Sequence, residues 1–223
     1  MKNEKYRNII ILATVTVVFS LMVILIDKAP IGPANTSVGF SHLNGWVAGI
    51  FPFKKGLYTL TNILGYLAIL VCVGFGAIGA GQLWVGKSLK KVDRNVIALG
   101  VLYIVVIALY VFFEKAEINY RPVIMPNETA PEASFPSSHT MLAMVVFGSA
   151  PEVLKKYVRD LKIMNIIKIV CYALAVITVV GRLVAGVHWF TDIIASVLIS
   201  LTLLEIFKAV LEIIASKKKS RNH

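Results

Sequence analysis

An all-α, polytopic membrane fold with six transmembrane helices in one bundle follows from three features of the sequence. Of its 223 residues, 57% are hydrophobic and only 16% are charged, and the mean hydropathy is +0.78; a water-soluble domain is nearer half apolar and a quarter charged. The apolar residues are gathered into long blocks. Asn8–Ile26, Val96–Phe113 and His188–Leu204 contain no Lys, Arg or Glu, and each is about long enough to cross a hydrocarbon core of roughly 30 Å. The basic residues, by contrast, crowd into short segments between blocks. This pattern excludes an ordinary soluble enzyme, a disordered chain and a disulfide scaffold.

Six blocks mark the expected spans, at residues 8–26, 57–85, 96–113, 138–150, 163–181 and 187–207. The first has a basic flank, as a signal peptide does. It is too long for a signal core and no small-residue cleavage site follows, so it is expected to stay as an anchor. The second exceeds one crossing and implies tilt or extension past the interface. Its Gly74, Gly76, Gly79 and Gly81 read as close helix packing. The fourth is short and opens on Ser and His. Cys72 and Cys171 lie singly within spans, with no paired or metal-like spacing, and are expected to be buried and inert. The whole chain, 1–223, reads as one domain.

Six crossings put both termini on one side. Of the 23 basic residues, 16 fall before span one, between spans two and three, between spans four and five, or in the tail, and Lys168 in the first turns of span five makes 17. By the positive-inside rule that side is cytoplasmic. The net charge of +11 is thereby explained as a topogenic signal and an attraction to anionic lipid, and nucleic acid is not an expected partner. The bilayer is, and no obligate protein partner is implied.

Three segments face the other side. The first, Asp27–Gly56, begins rich in Gly, Pro and Asn and turns amphipathic around Leu43–Phe53, with Trp46, Phe51 and Phe53. Such a stretch suits the headgroup zone, either as a guide for a lipid or as a plain interfacial connector. His42 reads as an ordinary polar loop residue. The Asn35-Thr36-Ser37 and Asn127-Glu128-Thr129 triplets would accept glycans only in a eukaryotic source.

The second segment runs EKAEINYRPVIMPNETAPEASFPSSHT from Glu114 to Thr140. It places Ser137, Ser138 and His139 at the N-terminus of an apolar helix, where free N–H groups and the helix dipole favour an anion. Simple capping by the serines is the competing explanation. The third segment holds Arg182, His188 and Asp192 at or just inside the membrane, where ionisable residues are costly and usually functional. His188 and Asp192 are four apart at a helix start and share a face. A carboxylate on one imidazole nitrogen fixes the tautomer and frees the other to attack; a structural His–Asp tie between helices is the alternative.

Together the segments offer guanidiniums, hydroxyls, a helix N-terminus, two imidazoles and a carboxylate. Guanidiniums and N–H groups match phosphoryl oxygens, and two imidazoles can divide the work of nucleophile and general acid. No metal motif is present and no cofactor is called for. Metal-independent phosphoryl transfer through a phosphohistidine fits this set.

Arg121-Pro122, Pro136-Ser137-Ser138-His139 and Arg182-x5-His188-x3-Asp192 resemble the three-part signature of the type 2 phosphatidic acid phosphatase superfamily, in order and in placement along the spans. The resemblance implies an integral membrane hydrolase of lipid phosphates or diphosphates. His188 would be its nucleophile, Asp192 the residue orienting it and His139 the acid for the leaving group. Arg121, Arg182, Ser137 and Ser138 would hold the phosphate. Three positions depart from the family pattern. Glu114 stands where the family has Lys, and Lys115, the nearest cation, is one residue late, a turn of about 100° on a helix. Ser138 replaces a frequent Gly, and Gly181 replaces a usual Ser, removing a hydroxyl.

The compact chain resembles bacterial members, whose substrate classes include undecaprenyl diphosphate, phosphatidylglycerophosphate and lipid A. It implies a cell-membrane protein with its site on the outer face, and carrier-lipid recycling favours the polyprenyl diphosphate. The alternatives are a lipid phosphotransferase and a non-catalytic lipid-phosphate transporter or binding protein. No repeated pattern of broken spans supports the transporter.

Overall fold

The computed structural model describes residues 2–126 and 128–220. Asn127, the head of the second glycosylation triplet, and Arg221 of the basic tail lie outside them. Seven α-helices occur among the described residues: α1 (Lys2–Leu25), α2 (Ser41–Ile50), α3 (Lys55–Gly86), α4 (Arg94–Ala116), α5 (Ser138–Leu154), α6 (Leu161–Val184) and α7 (Phe190–Ser220). Two short 3-10 turns lie at Pro33–Asn35 and Leu89–Lys91. Starts are set by local chemistry. Asp93 accepts from Asn95 N (3.0 Å) ahead of α4, and Asp160 accepts from Lys162 N and Ile163 N ahead of α6 (2.7 and 3.1 Å), as short acidic side chains do at N-caps.

Five helices, α1, α3, α4, α6 and α7, are long and apolar enough to cross a membrane. The fourth expected span is α5, with 17 residues and a length of about 25 Å. It is the central helix, packed against α3, α4, α6 and α7, and Met141, Ala143, Val145, Val146 and Val153 on it are fully enclosed. Its neighbours carry the opposite signature. Ile10, Val17, Leu70, Val73, Ile104, Ile107, Ile169 and Val176 are exposed, an apolar exterior of the kind lipid requires. α1 closes the bundle against α7.

Two sequence expectations need correcting. Of the run Gly74, Gly76, Gly79 and Gly81 in α3, only Gly79 has a neighbour within 4 Å of its Cβ position, Val96 of α4 at 3.3 Å; the other three face open space. Helix contact therefore does not explain the run. Cys72 and Cys171 are half-buried and unpaired, not fully enclosed, because α3 and α6 each leave one face outside the bundle.

The connections between spans sort to two ends. At one, Lys156 and Tyr157 after α5 both reach Asp93 before α4, the tyrosine hydroxyl at 2.7 Å. At the other, the first long segment folds over the bundle. Its α2 buries Ser41, Asn44 and Val47 and exposes Leu43, Trp46 and Ile50, so the amphipathic stretch expected at 43–53 is a helix as far as Ile50 and irregular beyond it. Lys54 N donates to Ala185 O at 3.0 Å, and the backbone of Phe51 and Pro52 presses on Gly186. A Cβ there would lie 2.4 Å from Phe51 O, and its φ is +67°, a conformation favouring glycine. His42 is almost wholly exposed and pairs with Asp27 at 2.7 Å.

Candidate active site

The segment between α4 and α5 is pinched by two backbone contacts. Arg121 N donates to Glu132 O (2.9 Å) and Ser134 N donates to Asn119 O (2.8 Å). The pinch sets Arg121 beside the start of α5 and opposite the α6–α7 junction. A cavity of about 160 Å³ opens there, lined by Arg121, Ser138, His139 and His188, with Tyr110, Glu114 and Glu132 also on its wall. Residues from three distant stretches of sequence thus meet at one place.

His188 sits between α6 and α7 and is 4% exposed. Its Nδ1 lies 3.1 Å from the carbonyl of Ser134. A carbonyl only accepts, so Nδ1 carries the ring proton and Nε2 keeps its lone pair. That Nε2 is buried and has no partner. Burial, then the charges of Arg121 and Arg182 and the nearby His139, hold the pKa of His188 well below the usual imidazole value, so the ring stays neutral. Asp192 Oδ2 stands 3.7 Å from Nδ1, an electrostatic contact longer than a hydrogen bond. Its oxygens accept instead from Trp189 N (3.1 Å) and Asn119 Nδ2 (3.2 Å). The acceptor on His188 is therefore a backbone carbonyl that sequence could not point out, with Asp192 behind it.

His139 is bound by its neighbours in one orientation. Arg182 Nη2 lies 2.8 Å from its Nδ1. Guanidinium only donates, so Nδ1 accepts and the imidazole proton sits on Nε2. The ring leans on α3 at Gly65, where a Cβ would come within 2.7 Å of its Cδ2. Arg182 is wholly buried. Its Nη1 donates to Thr61 Oγ1 (3.1 Å) and Asn62 Oδ1 (3.0 Å), and the guanidinium lies over the Tyr58 ring at 5.2 Å. Its Nε has no partner and Nη1 of Arg121 makes no hydrogen bond, while Arg121 Nε is ion-paired with Glu132 Oε2. Unsatisfied buried donors on two guanidiniums beside a cavity are an invitation to an anion.

Each departure from the expected pattern has a structural consequence. A Cβ at Gly181 would lie 2.7 Å from Thr61 Cγ2, so the missing side chain leaves room for Thr61, whose hydroxyl holds Arg182. Lys115 is not brought to the site. It is exposed in a shallow groove on the outer face of α4 with Ala108, Val111 and Phe112, whereas Glu114 lines the cavity; the one-residue offset turns the lysine away. Ser137 and Ser138 divide the two explanations offered for them. Ser137 is fully buried, its Oγ accepts from Thr140 N (3.5 Å), and its carbonyl accepts from Ser196 Oγ (3.0 Å), a cap and a tie to α7. Ser138 faces the cavity.

Thr61, Asn62, Asn119 and the Ser134 carbonyl were not singled out from sequence. Glu132 was also missed, and its Oε2 lies 2.8 Å from Arg121 Nε. Lone polar residues carry no pattern, and their pairing depends on the tertiary fold.

A second cavity, about 620 Å³ and predominantly apolar, runs between α3, α4 and α5. It shares Tyr110, Ser138, His139 and Met141 with the first. A polar chamber with two histidines and a guanidinium therefore lies beside an apolar one, with these four residues as their common wall.

Comparison with known proteins bears on this arrangement. The PAP2 superfamily matches the chain over residues 95–212, just over half its length. The structure is similar to that of a transmembrane PAP2-type phosphatidylglycerolphosphate phosphatase from Bacillus subtilis, with TM-score 0.67 and 18% identity, covering 92% of this chain and 96% of that one. It is also similar to LpxE of Aquifex aeolicus, with TM-score 0.42 and 21% identity over 75% of this chain and 93% of that one. No curated protein sequence matches the chain.

Proposed function

The chain belongs to the PAP2 superfamily, and on that premise we propose that it is an integral membrane phosphatase that releases phosphate from a lipid phosphate or diphosphate through a phosphohistidine on His188. The observation carrying this reading is the junction of the two cavities at His139 and Ser138. A headgroup phosphate fits the polar chamber while its chain occupies the apolar one, a division a water-soluble substrate would not need.

In this reading the phosphoryl group enters between Arg121 and the N-terminus of α5, where Ser138 adds a hydroxyl. Neutral His188 attacks phosphorus through Nε2 while its Nδ1–H keeps donating to the Ser134 carbonyl. Asp192 supports the positive charge that develops on the ring. His139 protonates the departing oxygen as imidazolium, once the bound phosphate has drawn a second proton onto the ring, and is left as neutral imidazole. It then takes a proton from the water that cleaves the phosphohistidine. Arg182 sets the tautomer of His139 and adds positive charge behind it. Lys115 takes no part.

With α5 counted as a crossing, the chain spans the membrane six times as a single domain. Both termini are cytoplasmic, and the site opens at the outer leaflet of a bacterial cell membrane. Phosphatidylglycerophosphate and undecaprenyl diphosphate are the first substrates to try. The test is phosphate release by detergent-purified protein with EDTA present, from these two lipids, phosphatidic acid and a water-soluble monoester. Release from a lipid that is lost in His188→Ala is the expected result; no release from any lipid by folded protein overturns the reading. The non-catalytic alternative has one observation in its favour, the Glu132 carboxylate already resting on Arg121.

A further inference from the structure

Resting on the assignment of His188 and Asp192 above, we infer that Asn119, with Gly39 and Asn44 of the first outer segment behind it, is a positioning residue that holds the Asp192 carboxylate against the nucleophilic imidazole.

Gly39 lies just ahead of α2. Its N–H donates to Asn119 Oδ1 (3.4 Å), and its carbonyl accepts from Asn44 Nδ2 (2.7 Å), so the backbone of this one residue is gripped on both sides by asparagines. A Cβ at this position would lie 1.7 Å from the carbonyl oxygen of Val23 in α1, so the backbone fits only without a side chain. Because an N–H can only donate, Gly39 fixes which end of the Asn119 amide is oxygen. The other end, Nδ2, is thereby turned to Asp192 Oδ1 at 3.2 Å. Asn119 and Asp192 are both fully buried.

Asn44 secures the same helix start independently. Its Oδ1 accepts from Thr191 N (3.1 Å) and its Nδ2 donates to Thr191 Oγ1 (2.9 Å). α2 is thereby bonded to the residue next to Asp192. The 27–56 segment is therefore more than an interfacial connector: through Gly39 and Asn44 it sets the orientation of the residues around the nucleophile.

The charged and titratable groups facing His188 are Asp192 of α7, Arg121 of the segment before α5, His139 of α5 and Arg182 of α6. Asn119 and the Trp189 N–H are the neutral donors to the one anion among them. Without Asn119 the Asp192 carboxylate is less stabilised, so the Asp192–His188 pair takes up its first proton at higher pH, a step that the His188 ring nitrogens sense whichever member holds the proton. A buried hydrogen bond to a charged group, when lost, is equivalent to about one to two pH units.

The test is a ¹⁵N-histidine NMR titration of the full chain in detergent, which needs neither substrate nor turnover. The chain has four histidines, so His188 is assigned with a His188→Gln control. In the wild type, His188 is expected as the Nδ1–H tautomer. Asn119→Leu should raise its titration midpoint by about one to two pH units. Asn119→Asp, of equal size but with a second carboxylate facing the first, should raise it further. Asn44→Leu, one link more remote, keeps the inference testable if Asn119→Leu does not fold, and should give a smaller rise in the same direction. In parallel, on phosphatidic acid micelles, the Asn119 variants should lose about tenfold or more in kcat, with KM unchanged. An unchanged His188 midpoint and tautomer in the folded variants would overturn the inference, whatever happens to turnover, because a merely structural role lowers stability without moving that titration. Failure of the phosphatase reading shows separately, as absence of wild-type hydrolysis with the NMR shifts intact.

Discussion

Glu132→Gln tests whether the phosphate clamp is partly occupied by the protein itself. Glu132 Oε2 lies 2.8 Å from Arg121 Nε, with the arginine side chain 13% exposed and the glutamate 37%. The substitution keeps the shape and removes one negative charge from the cavity wall. Two effects act in the same direction. The guanidinium no longer has to leave a charged partner, and an arriving phosphate no longer meets a carboxylate. An ion pair with one partner this exposed contributes about 0.2–1 kcal/mol. The repulsion of a phosphate charge about 6 Å away adds roughly 1 kcal/mol at an effective dielectric near 40–50. The sum, about 1–2 kcal/mol, corresponds to a fall in KM of about five- to thirtyfold, with kcat little changed because the carboxylate touches neither histidine. The assay is initial-rate kinetics on phosphatidic acid in mixed micelles at two ionic strengths. The advantage of the variant should shrink as salt screens the charge. A KM equal to or above the wild-type value at low salt would refute the occupied-clamp reasoning and make Glu132 a residue that orders Arg121 for substrate.

Other predictions concern the remaining parts of the site. Gly181→Ala should destabilise the protein by about 1–3 kcal/mol through the clash with Thr61 Cγ2. Adding Thr61→Ser should recover most of that, as read by thermal unfolding in detergent. Gly65→Ala should displace His139 and lower kcat by about tenfold or more, whereas Lys115→Ala should leave kinetics unchanged. Leu142→Trp, in the apolar cavity, should raise KM for long-chain lipids but not for a short-chain phosphate ester, as paired saturation curves would show. His188 has a depressed pKa, so neutral nucleophile persists below the usual midpoint near 6.5. The acidic limb of kcat/KM assigned to it should fall below that value. Stability has a matching sign: the unfolded chain takes up the His188 proton first, so stability should decline as pH drops through about 6.5, and less so in His188→Gln.

Much of the fold was legible because membrane spans are written in runs of sequence. The blocks at 96–113 and 163–181 lie within α4 and α6, the block at 8–26 overruns α1 by one residue, and the charge pattern is local too. The expected span at 138–150 behaves differently in the structure. It becomes a short central helix enclosed by four others, so hydropathy, which measures contact with lipid, speaks weakly for it. The site was legible where residues sit at fixed spacing, as with His188 and Asp192, or at a helix start, as with Ser137 to His139. It was not legible where a partner is a backbone atom, as with the Ser134 carbonyl, or an isolated amide. Asn44 and Asn119 look like any loop asparagines until the outer segment folds over α7. Lys115 was a matter of helix phase: the rotation that makes it one residue late also directs Glu114 to the cavity.

The proposed mechanism turns on a covalent bond between phosphorus and His188 Nε2. Labelled phosphatidic acid or phosphatidylglycerophosphate is mixed with the protein, quenched in alkali within milliseconds, where a phosphoramidate survives, and mapped by peptide mass spectrometry. Label on the His188 peptide at early times that chases into free phosphate, and that is absent in His188→Ala, is the predicted result. Phosphate release without label on His188, or release that persists in His188→Ala, would contradict it.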